Sequence, residues 1–270
     1  MEKTMINLSI EPNNTQFSIK NAYALALASR LAYKSEETIR NKLQEQGFNG
    51  EFINEPSTDT QLFIAHNGTA IVISFRGTEK FKDWLTDAGI EFHNTPNGRT
   101  HKGFDKALDS VWSRITQTLE KVHQYGQPLW ITGHSLGGAL AVLAAARLTL
   151  DIDQNVYKSI NGLYTFGQPR VGDRVFVKAL DNEIKPRYFR FVNDNDMVPR
   201  VPDRLNQYQE GGFISFFDSK GTLNHDVGFW FAFLERIKGS YQQKLDMIPT
   251  FIEHHFIDKY IANIEKNVNG

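Results

Sequence analysis

"WITGHSLGGALAVLAAARL", Trp130 to Leu148, limits the fold more than any other stretch of this chain. A short apolar run passes through glycines around one serine and continues at once as an alanine-rich helix. Apolar runs of this length read as buried strands, and the alanines read as a helix packed close behind. A strand joined to a helix with no loop must turn sharply at Ser135. Gly133 and Gly137 stand two residues either side of it, where side chains would collide across such a turn. The turn exposes a hydroxyl at a helix N-terminus, where backbone N–H groups face a developing negative charge. Ser135 is therefore expected to be a nucleophile rather than a turn residue.

The flanking sequence fits that reading. "SIKNAYALALASRLAYKS" has apolar residues at helical spacing, with Ser18 as cap. "QLFIAHNGTAIVISFRG" reads as two strands about an Asn67-Gly68 turn. Leu108, Val111, Ile115, Leu119 and Val122 mark an amphipathic helix. "QPLWITG", "NGLYTFG" and "RYFRFVN" are apolar strands, with "DRVFVKAL" a helix between the last two. A final helix is expected over Ile248–Ile264, around Phe251, Ile252, Phe256, Tyr260 and Ile264. Strands alternating with helices predict an α/β fold, a mainly parallel central sheet covered on both faces. No repeat or linker interrupts the chain, so residues 1–270 read as one domain. Catalysis then belongs at the carboxyl ends of the strands.

Composition removes several function classes. The 30 basic and 31 acidic side chains nearly cancel, so there is no basic field for nucleic acid. The absence of cysteine excludes thiolate nucleophiles, thiolate metal sites and disulfides. "NDND", Asn193–Asp196, lacks the glycine and distal glutamate of an EF-hand, so neither metal nor cofactor is expected. Met1–Asn21 holds no signal-peptide core, and no apolar run nears the roughly 18 residues of a spanning helix. A cytoplasmic location is favoured.

A serine hydroxyl needs a base to take its proton, usually histidine. In α/β-hydrolases the order along the chain is serine, acid, histidine. That order leaves His225, His254 and His255 as bases. Asp194 and Asp196 follow a strand and precede prolines, with Asp203 a weaker acid further on. Local physics does not separate Asp194 from Asp196.

Six ordered segments carry a resemblance: "SFRGT", "KDWLTD", "HKGF", "GHSLGG", "TFGQPRVGD" and "NDMVPRVP", between Ser74 and Pro202. The chain resembles the class 3 lipases, fungal-lipase-like α/β-hydrolases, in their bacterial-type form. The resemblance implies Ser135 as nucleophile and, as acid, Asp196, two places before Val-Pro. It implies His255 as base, five residues before Tyr260, with His254 as the near alternative. In the family that histidine often follows an aspartate; here it follows His254. Acyl transfer needs preplaced donors for an oxyanion. The amide of Leu136 and, by resemblance, Thr78 are expected to supply them. Phe81, Trp84 and Leu85 share an apolar face in a stretch, about 79–92, that coincides with the family's lid helix. A second apolar segment, about 205–245, concentrates Phe213, Phe216, Phe217, Phe229, Trp230, Phe231 and Phe233. Part of it is expected in the core and part in an acyl-binding groove or against a bilayer.

The implied activity is a carboxylic ester hydrolase cleaving fatty-acyl esters of triacylglycerol, phospholipid or galactolipid, in peripheral contact with a membrane or lipid droplet. The alternatives are an esterase of short soluble esters and a lipid-binding module without catalysis.

Overall fold

The computed structural model describes residues 8–78, 90–124, 126–150, 160–202, 204–225 and 253–268. The expected lid residues Phe81, Trp84 and Leu85 lie outside them. So do Asp203, Phe229, Trp230, Phe231, Phe233, Phe251 and Ile252.

Two helices, α1 (Ile19–Leu31) and α2 (Glu36–Glu45), precede β1 (Asn49–Glu55), β2 (Thr60–His66) and β3 (Ile71–Phe75). Ser18 caps α1 as its sequence predicts, accepting the Asn21 amide. Asn67 closes the β2–β3 hairpin by accepting the amides of Thr69 and Ala70 at 2.9 and 3.0 Å. The chain continues through β4 (Phe92–Thr95), β5 (Gly98–His101), α3 (Lys102–Val122), β6 (Leu129–His134) and α4 (Leu136–Leu150). β7 (Ile160–Phe166), β8 (Gly172–Asp173), α5 (Arg174–Ile184) and β9 (Tyr188–Asn193) follow. β10 (Tyr208–Gln209), β11 (Phe213–Phe217), β12 (Leu223–Asn224) and α6 (Ile257–Val268) complete the described elements.

The main sheet runs β1-β2-β3-β6-β7-β9-β11-β12. β3, β6, β7, β9 and β11 are mutually parallel, and the remaining pairings, at the margins, are antiparallel. Period-2 alternation sorts the side chains between faces. Ile71, Ile73, Phe75, Ile131 and Leu163 join α3, α4 and α5 in one core layer. Val72, Trp130, Tyr164, Phe166 and Phe191 join α1, α2 and α6 in the other. Ala139, Ala141, Ala144 and Ala145 let α4 lie close on the strands and are fully buried. The parallel register brings Phe75 level with Gly133, and His134 level with Phe166. The chain therefore leaves β3, β6, β7 and β9 at one edge of the sheet, where Thr78, Ser135, Gly167 and Asp196 are found.

Three features differ from the expectation. A small sheet, β10-β8-β5-β4, stands apart from the main one, and its strands of two to four residues are too short to show a period. Phe92, at the end of the stretch expected as a lid helix, opens β4. The final helix is interrupted: helical residues 253–255 are separated from α6 by a bend at Phe256, which is 57% exposed rather than core. Within the second apolar segment, Phe216 and Phe217 are core residues of β11, whereas Phe213 is exposed. Among the described residues, no helix is long and apolar enough to cross a membrane.

Candidate active site

Ser135 sits between β6 and α4 at φ +58°, a left-handed conformation that costs a residue with a Cβ about 1–2 kcal/mol. Its amide donates to the Phe166 carbonyl at 2.9 Å, pinning the turn to β7. A Cβ on Gly133 would strike the backbone of Gly137, and one on Gly137 would strike the carbonyl of Phe75. The steric reason for both glycines is thus present in the structure. Leu136 opens α4, so its amide is among those with no intrahelical acceptor. The Ser135 hydroxyl is buried and makes no hydrogen bond among the described residues.

His255 Nδ1 lies 2.8 Å from Asp196 Oδ2, with both residues buried. A carboxylate only accepts, so Nδ1 carries the proton, and in the neutral tautomer of the ring the lone pair is on Nε2. Two further donors hold Asp196: the Val198 amide at 2.9 Å and the Tyr260 hydroxyl at 2.6 Å. Burial, and then the negative charge of Asp196, push the Tyr260 hydroxyl well above its ordinary pKa, so it stays a donor. His255 packs beside the turn that carries Ser135. The ring of His134, next to Ser135, packs 4.7 Å from that of His255. A Cβ on Gly167, next to the Phe166 that holds Ser135, would come within 2.8 Å of Asp196 Oδ2 and 2.9 Å of His255.

The other candidates lie elsewhere. His254 Nδ1 is 3.0 Å from Asp194 Oδ1 in a separate, more exposed pair. His225 packs edge-on against Phe17, and burial lowers its pKa. Thr78 follows β3 at the same sheet edge, half-buried. Among the described residues, no group of three or more histidine and carboxylate side chains is placed to hold a metal.

Two buried arginines, not anticipated from sequence, fasten the loop bearing Asp196. Arg190 donates to the carbonyls of Gln168 and Pro199 at 2.9 and 2.8 Å. Arg170 donates to the carbonyls of Arg200 and Pro202 and pairs with Glu210. Burial alone would raise the Glu210 carboxyl, but Arg170 and Arg190 outweigh it and hold its pKa below the ordinary value. The signal was available: "QPR" and "VPRVP" recur as motif segments, and their residues meet here.

The profile of the family described as Lipase (class 3) matches residues 72–206, half of the chain. The chain is 32% identical to an Arabidopsis thaliana triacylglycerol lipase OBL1, across 72% of this chain and 48% of that protein. It is 47% identical to a Malassezia restricta secreted mono- and diacylglycerol lipase LIP4, across 59% of this chain and 50% of that protein. The chain spans about half the length of the curated relatives it matches. A Rhizomucor miehei lipase in complex with its propeptide superposes at TM-score 0.65 and 24% identity, covering 76% of this chain and 70% of that one. These relatives are plant and fungal, so the bacterial-type placement gains no support from them. The fold is that of the lipase α/β-hydrolases, and the chain belongs to the class 3 lipase family.

Proposed function

We propose that the protein is a serine hydrolase of fatty-acyl glycerolipid esters, working through an acyl-enzyme. The observation that carries this reading is the buried His255–Asp196 hydrogen bond beside the strained turn at Ser135. Ser135 Oγ attacks the ester carbonyl while His255 Nε2 takes its proton, and Asp196 stabilises the imidazolium. The tetrahedral oxyanion is met by the amides of Leu136 and Thr78 at the N-terminus of α4 and the end of β3. Collapse expels the alcohol, which receives the proton from His255. Water, deprotonated by the same imidazole, then attacks the acyl-enzyme and frees the fatty acid. The order is self-consistent because Nδ1 stays on Asp196 throughout.

The names of the plant and fungal relatives support acylglycerols as the substrate class. Phe256, exposed beside the base, and the helical spacing of Phe81, Trp84 and Leu85 in the sequence support contact with a lipid surface. The bacterial-type placement rests on the spacing of His255 and Tyr260 alone. A fluorophosphonate probe tests the core of the reading: it should label the wild type and not Ser135→Ala. Equal labelling of both proteins overturns it. Hydrolysis that peaks on short dissolved esters, with no gain on micelles, would replace the lipase by an esterase.

A further inference from the structure

The helical run is broken at Phe256, and the carbonyls of the two residues before it, His254 and His255, are met by side chains. At the break the Lys259 amide turns back to the Phe256 carbonyl at 2.9 Å. Both side chains are buried. Asn193 Nδ2 donates to His254 O at 2.7 Å, and His134 Nε2 donates to His255 O at 2.6 Å. We propose that Asn193 and His134 are positioning residues that grip these two carbonyls and so hold the His255 imidazole between Asp196 and Ser135.

Each grip is itself fixed. Asn193 lies at the end of β9; its Oδ1 accepts from Asn263 Nδ2 at 2.9 Å, and its amide donates to the Tyr260 hydroxyl at 3.2 Å. Both contacts come from α6, so Asn193 is oriented by the helix that follows the base. The orientation of His134 follows from elimination. A carbonyl cannot donate, so Nε2 carries the proton. Nδ1 of the neutral ring then accepts the Tyr33 hydroxyl at 2.8 Å. Burial, and then the neighbouring His255, hold His134 well below the ordinary histidine pKa, which keeps this arrangement neutral. A second positive ring packed 4.7 Å from His255 would oppose the imidazolium formed during catalysis. A Cβ on Gly77, which precedes Thr78, would overlap the Tyr33 hydroxyl and come within 3.2 Å of Ser135 Cβ. Tyr33 thus also meets the segment expected to bind the oxyanion. Backbone gripping matters because an imidazole displaced by about 1 Å loses on the order of 100-fold in rate.

The proposal rests on His255 being the base. Its test uses the full-length protein, p-nitrophenyl butyrate as probe, and thermal melting alongside kinetics. His134→Leu and Asn193→Ala should each lower kcat by about 10- to 100-fold with KM within about twofold. His134→Gln, which keeps an N–H donor at similar reach, should recover most of the lost rate; mere space-filling predicts no such rescue. Wild-type kcat in Asn193→Ala, or His134→Gln as slow as a folded His134→Leu, overturns the proposal. Should His134→Leu fail to melt cooperatively, Asn193→Ala and His134→Gln decide alone by the same criteria. A wild type inert to the ester, or a Ser135→Ala protein that hydrolyses it, removes the hydrolase reading instead.

Discussion

His254 and His255 are neighbours, and each faces an aspartate two residues from the other's. His254 Nδ1 lies 3.0 Å from Asp194, and His255 Nδ1 lies 2.8 Å from Asp196. The surroundings differ. The side chains of the first pair are 18% and 17% exposed, and those of the second 5% and 0%. Asp194 spends its carboxylate on its own neighbour, accepting from the amide and side chain of Asn195. Asp196 is held by the Val198 amide and by Tyr260 from another element. The same two residue types thus make a local contact in one place and an oriented, hydrogen-bonded pair in the other. Desolvation and long-range donors make the difference.

Substitutions can break this contrast, and the largest effect is expected at the buried pair. His255→Ala should lower kcat by about 100,000-fold or more, as should Ser135→Ala, with folding retained; active-site titration against circular dichroism checks both. Asp196→Asn should follow at about 10,000-fold, because an amide at that place can donate to the ring and favour the wrong tautomer. Tyr260→Phe removes one donor to Asp196 and one acceptor for Asn193. It should cost about 10-fold in kcat and about 1–3 kcal/mol of stability in a urea titration.

The pH dependence of stability sharpens the contrast further through His134. Its folded pKa lies below the unfolded value near 6.5, so the unfolded chain binds the extra proton. Stability is then fully present above pH 6.5 and is lost as pH falls, by up to about 1.4 kcal/mol per unit until the folded pKa is reached. His134→Gln should flatten that slope between pH 6.5 and 5. The smallest effect is expected at the half-buried pair: His254→Ala or Asp194→Asn should leave kcat within about threefold, as suits a contact partly open to solvent. A loss at His254 equal to that at His255 would erase the distinction.

What could be read from sequence follows the same division. Features written in contiguous residues were legible: the turn at Ser135, the Ser18 cap, the hairpin at Asn67 and the apolar strands. Features made by distant partners were not. Asp194 and Asp196 are equivalent until Tyr260 arrives from 64 positions away. His134 could be set aside as a base by chain order, yet nothing near it in sequence announces the carbonyl of His255. The interruption at Phe256 is hidden in the sequence because helical periodicity runs through it, and the side chains that meet the carbonyls, Asn193 and His134, are distant in the chain. The small sheet escaped because its short strands are held by side chains such as Asp173, which accepts from Arg99 and caps α5.

The left-handed backbone at Ser135 carries a cost that outlasts any single turnover. Glycine adopts that conformation without penalty, so a Ser135→Gly protein should be hardier than its parent while chemically inert. A lineage screened for heat resistance alone would drift toward losing its own nucleophile; only selection on turnover keeps the serine in place.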